Sequence, residues 1–103
     1  MGKESIFQEG VALHLPKLSE LFKVLGDNTR LKILYLLMNG SCRVGEIAEA
    51  MDMEQSAISH QLRVLRRARL VSSEKQGKNV LYSLDDYHVS TLIGQGLEHV
   101  MHG

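Results

Sequence analysis

Apolar residues recur at helical spacing through most of the chain and switch to strand-like patterning once. Ile6, Val11, Leu13 and Leu15 suggest a short helix that the lone proline, Pro16, interrupts or precedes. From Lys17, the positions of Leu18, Leu21, Phe22 and Leu25 mark one face of a helix that ends at Gly26. Asp27 suits the N-cap of a second helix through Ile33, Leu34, Leu36 and Leu37, stopped by Asn39-Gly40. Val44, Ile47, Ala48 and Met51 predict a short amphipathic helix, Asp52-Met53-Glu54 a brief turn, and Ile58, Leu62 and Leu65 the apolar face of a longer helix.

After Leu70 the period changes. β-Branched and aromatic residues flank Gln76-Gly77-Lys78-Asn79, which predicts a two-stranded β-hairpin, Val71–Glu74 and Val80–Leu84, with a basic tip and a tight turn at Gly77. Helical spacing resumes from Asp86 through Val89, Leu92, Ile93 and Val100. The fold class is therefore mainly α (α+β). One domain, residues 1–103, holds a helix-turn-helix over 44–69, a wing over 71–84 and a last helix over 86–102. Two helices joined by a short turn and followed by a hairpin make a winged helix-turn-helix, whose second helix is the one that enters a DNA groove.

Composition changes this picture little, but the location of charge changes it considerably. The net charge is zero, yet Glu54–Val80 holds six basic residues against two acidic ones, a candidate polyanion surface within a neutral chain. Gln55, Ser56, Ser59 and His60 open the second helix with short polar groups that can reach base edges or phosphates. Arg63, Arg67, Lys75 and Lys78 suit phosphate contacts, which position a protein without specifying sequence. Capping and solvent-facing roles are the plainer alternative for Ser56 and Ser59, as is an unremarkable exposed site for His60. MGKESIFQEG lacks the basic and apolar regions of a signal peptide, and no apolar run approaches the ~18–20 residues of a membrane span. One cysteine, Cys42, precludes an internal disulfide framework, so a cytoplasmic location is expected.

The C-terminal stretch DDYHVSTLIGQGLEHVMHG carries three of the five histidines. His99 and His102, at i and i+3, share a helix face, and Asp86 and His88 sit together where that helix starts. His88 and His99 are eleven residues apart, which at about 100° per residue returns to nearly the same face. At ~1.5 Å per residue the two pairs are nevertheless roughly 16 Å apart, too far for one ion with ligand bonds of ~2 Å. A second copy of the helix, antiparallel, brings the first pair of one chain against the last pair of the other. Twofold symmetry then makes two equivalent sites per dimer, each of one carboxylate and three imidazoles. Such a closed N/O set suits tetrahedral zinc in a non-catalytic site. A solvated, tag-like tail is the alternative, and Gly94 and Gly96 weaken the helix. Enzyme chemistry is disfavoured: four protein ligands leave no position for water, no HExxH-like arrangement is present, and Glu98 points about 100° away from His99.

LFKVLGDNTRLKILYLL, VGEIAEAMDMEQSAISHQLRVLRRARLV and KQGKNVLYSLDDYHV together resemble the ArsR/SmtB family of metal-sensing repressors, over roughly Leu18 to His102. Asp86-x-His88 with His99-x-x-His102 is similar to the zinc- and cobalt-sensing branch, whose site lies on the last helix. The resemblance implies a homodimer joined by its N- and C-terminal helices and bound to double-stranded operator DNA as apo-protein. Binding of zinc (or cobalt) between the C-terminal helices would release it and derepress metal efflux. Nickel or a non-metal signal is the alternative. Many relatives place a thiolate ligand just before the first helix of the helix-turn-helix. Here Cys42 lies one residue early and Arg43, which cannot ligate, takes the matching position, so Cys42 is expected to be partly buried and inert. His14 is read as a surface residue. Coupling is expected to run through a hydrogen bond from His88 or His99 to backbone near Arg69-Leu70.

Overall fold

The computed structural model describes residues 6–103 as five helices and a three-stranded antiparallel sheet. Helix α1 spans Glu9–Leu25 without interruption, so the expected break at Pro16 does not occur. Proline removes a single N–H, the one that would bond the carbonyl of Ala12. Ala12 is exposed, so water can satisfy that oxygen. Helix α2, Asn28–Met38, starts as its sequence directs: the Asp27 carboxylate accepts the Arg30 N–H at 3.0 Å. It stops at Asn39, and Gly40 follows at φ 143°, a conformation that favours glycine.

Strand β1, Cys42–Arg43, is an addition to the expected two-stranded wing. It pairs Cys42 with Tyr82 and Arg43 with Leu81, and Ser41 and Ser83 hydrogen-bond through their hydroxyls at 2.8 Å beside it. Helix α3, Val44–Met51, has its first turn tied by Glu46, whose carboxylate accepts the Arg43 N–H at 2.8 Å. Asp52 then turns the chain at φ 52°, and α4, Gln55–Arg67, follows. Strands β2, Val71–Gln76, and β3, Asn79–Leu84, pair from Val71 with Leu84 to Gln76 with Asn79. The hairpin loop is therefore the two residues Gly77 and Lys78 rather than the whole stretch from Lys75 to Asn79 between the expected strands. Gly77 at φ 62° occupies the first loop position, where a two-residue hairpin turn demands glycine. Sheet order is β1-β3-β2. Helix α5, Tyr87–His102, continues through Gly94 and Gly96.

The core forms where the helix-turn-helix meets α2, the sheet and the start of α5. Ile33, Leu34, Ile47, Ile58, Leu62, Leu65, Val71 and Val89 are fully buried. Burying each such side chain contributes about 1.5–3 kcal/mol, so this cluster dominates the stability of the reading unit. Arg30 adds a tie between helices: Nε donates to Gln61 Oε1 of α4 at 2.9 Å and Nη1 to the Val24 carbonyl of α1 at 3.3 Å.

The rest of the molecule is open. Val11, Leu15, Leu18 and Phe22 form a stripe along α1 at alternating four- and three-residue spacing, and all four are 40–52% exposed. The radius of gyration, 16.3 Å, exceeds the ~13 Å of a compact domain of this length.

Candidate nucleic-acid interface and metal half-sites

On α4, at about 100° per residue, Ile58, Leu62 and Leu65 span roughly 60° of arc on the core side. Gln55, Ser56, Ser59, His60, Arg63 and Arg67 fan over the remaining polar face. Gln55, Ser56, His60, Arg63 and Arg67 are exposed and Ser59 is half-buried. The Gln55 amide lies over α3, with Nε2 3.5 Å from where a Cβ on Gly45 would stand, so this side chain covers the α3–α4 junction as well as facing outward. Lys75 and Lys78 are exposed at the far end of the hairpin. Among the described residues, none of these basic side chains is held in an ion pair, which leaves their charge available to an anionic partner.

Capping sets the geometry at the start of α5. Asp86 is the N-cap, and its Oδ1 accepts the backbone N–H of His88 at 2.8 Å. The same oxygen meets Nδ1 of the His88 ring, so the first pair of sequence-predicted ligands is in contact, with both side chains exposed. At the other end of α5, His99 and His102 stand in the last turn, also exposed. His102 Nε2 faces Glu98 Oε2 at 3.9 Å, a neighbour the sequence reading had turned away from the site. Glu98 and His102 are four residues apart, the spacing at which helix side chains meet.

Among the described residues, no three His, Cys, Asp or Glu side chains of one chain come together as a ligand set. The two candidate pairs stand at opposite ends of α5, the separation expected from the helical spacing. A metal ion fits this donor chemistry. Imidazoles and one carboxylate are borderline ligands suited to zinc or cobalt, and Asp86 and His88 stand side by side at the start of α5.

Among the described residues of this single chain, neither His88 nor His99 bonds backbone near Arg69-Leu70, a link expected of the metal-bound imidazole. The Leu70 carbonyl instead accepts the N–H of Asp85 at 3.0 Å. A backbone bond needs no imidazole, and it joins a residue three positions past the end of the reading helix to the one before the α5 cap. Cys42 is half-buried beside the Gly40 carbonyl. Burial, then the nearby Glu46 charge, push its thiol above the usual range. His14 is exposed and its Nδ1 bonds the Gly10 carbonyl at 2.6 Å within α1.

Helix-turn-helix, hairpin wing and exposed basic face together define a winged-helix DNA-binding regulator. Residues 27–73 match the model of the bacterial regulatory protein, arsR family. The chain is 43% identical over 86 residues to the HTH-type transcriptional regulator NmtR of Mycobacterium tuberculosis, covering 84% of this chain and 72% of that protein. It is 38% identical over 82 residues to a cadmium resistance transcriptional regulatory protein, the CadC homolog of Staphylococcus aureus, covering 79% and 68%. The structure superposes with a TM-score of 0.81 on the homodimeric winged helix-turn-helix DNA-binding domain of a Mycobacterium bovis protein. That match has 29% identity and covers 93% of this chain and 92% of that one. The chain belongs to the ArsR family of transcriptional regulators, which are DNA-binding proteins and not enzymes. No described helix is long and apolar enough to cross a membrane.

Proposed function

We propose that the protein is a homodimeric repressor that holds its operator as metal-free protein and lets go when zinc, or cobalt, binds between its C-terminal helices, derepressing metal efflux. The observation that carries this reading is the pair of half-sites on α5: Asp86 and His88 in contact at one end, His99 and His102 at the other, on one exposed face. Neither half-site is a site alone, and antiparallel packing of two copies completes two.

The unpartnered apolar surface supports the dimer. Phe22, Leu31 and Tyr35 together with Leu92, Val100 and Met101 line a groove of about 1180 Å³ between α2 and α5, continuous with the exposed stripe of α1. A second copy related by twofold symmetry presents the same apolar surface in return. The dimer also sets two reading helices on one duplex, each opening with Gln55, Ser56, Ser59 and His60 toward base edges. Arg63, Arg67, Lys75 and Lys78 take the phosphates.

Bound zinc supplies a fixed junction between the two chains. The residues do the rest: Asp86 caps α5, Asp85 ties that cap to the Leu70 carbonyl, and Leu70 lies three residues beyond the end of the reading helix. A shift at the cap is thereby passed to α4 through main chain, altering the spacing of the two reading helices. Coupling of this kind is worth ~1–3 kcal/mol, or about 5–150-fold in DNA affinity.

Fluorescence anisotropy on a palindromic operator duplex tests the reading. Zinc added to the wild type at one ion per protomer is expected to weaken DNA binding at least about 5-fold. The His99→Ala, His102→Ala double variant is expected to stay bound. Equal DNA affinity with and without zinc or cobalt would leave a winged-helix regulator that answers nickel or a non-metal signal.

A further inference from the structure

Resting on the metal reading above, we propose that Glu98 is a positioning residue for the metal centre: it holds the Nε2–H of His102 so that Nδ1 is the nitrogen offered to the ion. Rotation along α5 places His102 about 40° from Glu98 on one side and about 60° from His99 on the other, so His102 stands between a carboxylate and its fellow ligand. The structure has already turned the ring: Nε2 faces Glu98 Oε2 at 3.9 Å, a gap that a small side-chain rotation closes to a hydrogen bond. A neutral imidazole carries its proton on one nitrogen and its lone pair on the other. The nitrogen facing a carboxylate carries the proton, which assigns Nδ1 to the metal. Such carboxylate–histidine pairs fix ring orientation and strengthen the ligand, and losing the carboxylate typically weakens metal binding by about 10–100-fold.

The two half-sites explain why a device is needed at one end only. At the start of α5 the Asp86 carboxylate is already fixed, since Oδ1 accepts the His88 N–H at 2.8 Å while meeting that ring. In the last turn no backbone group holds the exposed His102 ring, and among the described residues Glu98 is its one recorded polar neighbour.

The test uses full-length dimer, with zinc affinity measured by competition against a chromophoric chelator and the inner ligand set read from the absorption bands of bound cobalt. Glu98→Ala is expected to weaken zinc by about 10-fold or more. Glu98→Gln, which keeps an acceptor but loses the charge, is expected to fall between it and wild type. Both are expected to leave the cobalt bands where the wild type has them, because the inner ligands are intact, whereas His102→Ala shifts them. Wild-type zinc affinity in Glu98→Ala would overturn the inference and reduce the pair to a helix-surface contact. Shifted cobalt bands in that variant would overturn it differently, by making Glu98 an inner ligand. If the wild type itself bound neither ion, the metal reading would fall first and take the inference with it, an outcome distinct from both.

Discussion

Helices α4 and α5 are of similar length, 13 and 16 residues, and each has an apolar and a polar side, yet only α4 is finished within one chain. Helix α4 buries Ile58, Leu62 and Leu65 completely against its own core and turns an uninterrupted polar face outward. Helix α5 buries Val89 and Ile93 but leaves Val100 75% and Met101 69% exposed, and its two candidate ligand pairs stand at opposite ends. The difference teaches where each proposed function resides. A reading surface needs one folded unit, whereas the proposed sensing centre needs symmetry.

The contrast can be broken most severely at α4. Leu62→Ala empties a position with no room to collapse and is expected to cost about 2–5 kcal/mol, measured by urea unfolding. The equivalent test on the open side spares the fold and removes the partner. Leu18→Glu with Phe22→Glu puts charge on the exposed α1 stripe and is expected to yield a folded monomer in sedimentation velocity, with zinc stoichiometry lost alongside. Arg30→Ala cuts the tie from α2 to Gln61 and Val24 and is expected to destabilise by about 1–3 kcal/mol in the same unfolding assay. Arg63→Ala with Arg67→Ala is expected to leave stability nearly unchanged while reducing the salt dependence of DNA binding by about one phosphate contact per residue replaced. The smallest effect belongs to Cys42. Its raised thiol pKa disfavours the reactive thiolate, so alkylation is expected to be slower in the folded protein than in urea, with the rate rising only at higher pH.

Much of the finished half was legible because its signals are local. The Asp27 cap, the Ile58–Leu62–Leu65 face and the Gly77 turn each follow from residues within a few positions of one another, and each is found as expected. What escaped depended on groups far apart in the chain. Strand β1 is two residues long and exists only because β3 offers it an edge. Arg30 reaches Gln61 across 31 positions, and Asp85 reaches Leu70 across the whole hairpin. Pro16 misled for the opposite reason: a local rule predicted a break, but a single lost bond at an exposed carbonyl is too small to end a 17-residue helix. Helical arithmetic placed His88, His99 and His102 on α5, with Asp86 at its cap. It also turned Glu98 away from His99 without asking how Glu98 stands to His102, one turn further on.

The proposed interchain metal centre is tested most directly by complementation. One chain carries Asp86→Ala and His88→Ala, the other His99→Ala and His102→Ala, and zinc is counted in each homodimer and in the mixed dimer. Antiparallel pairing leaves every site of both homodimers without one of its pairs, while the mixed dimer keeps one complete site and one with neither pair. The account predicts no tight zinc in either homodimer and one ion per mixed dimer. A mixed dimer as empty as its parents would contradict a centre shared between chains.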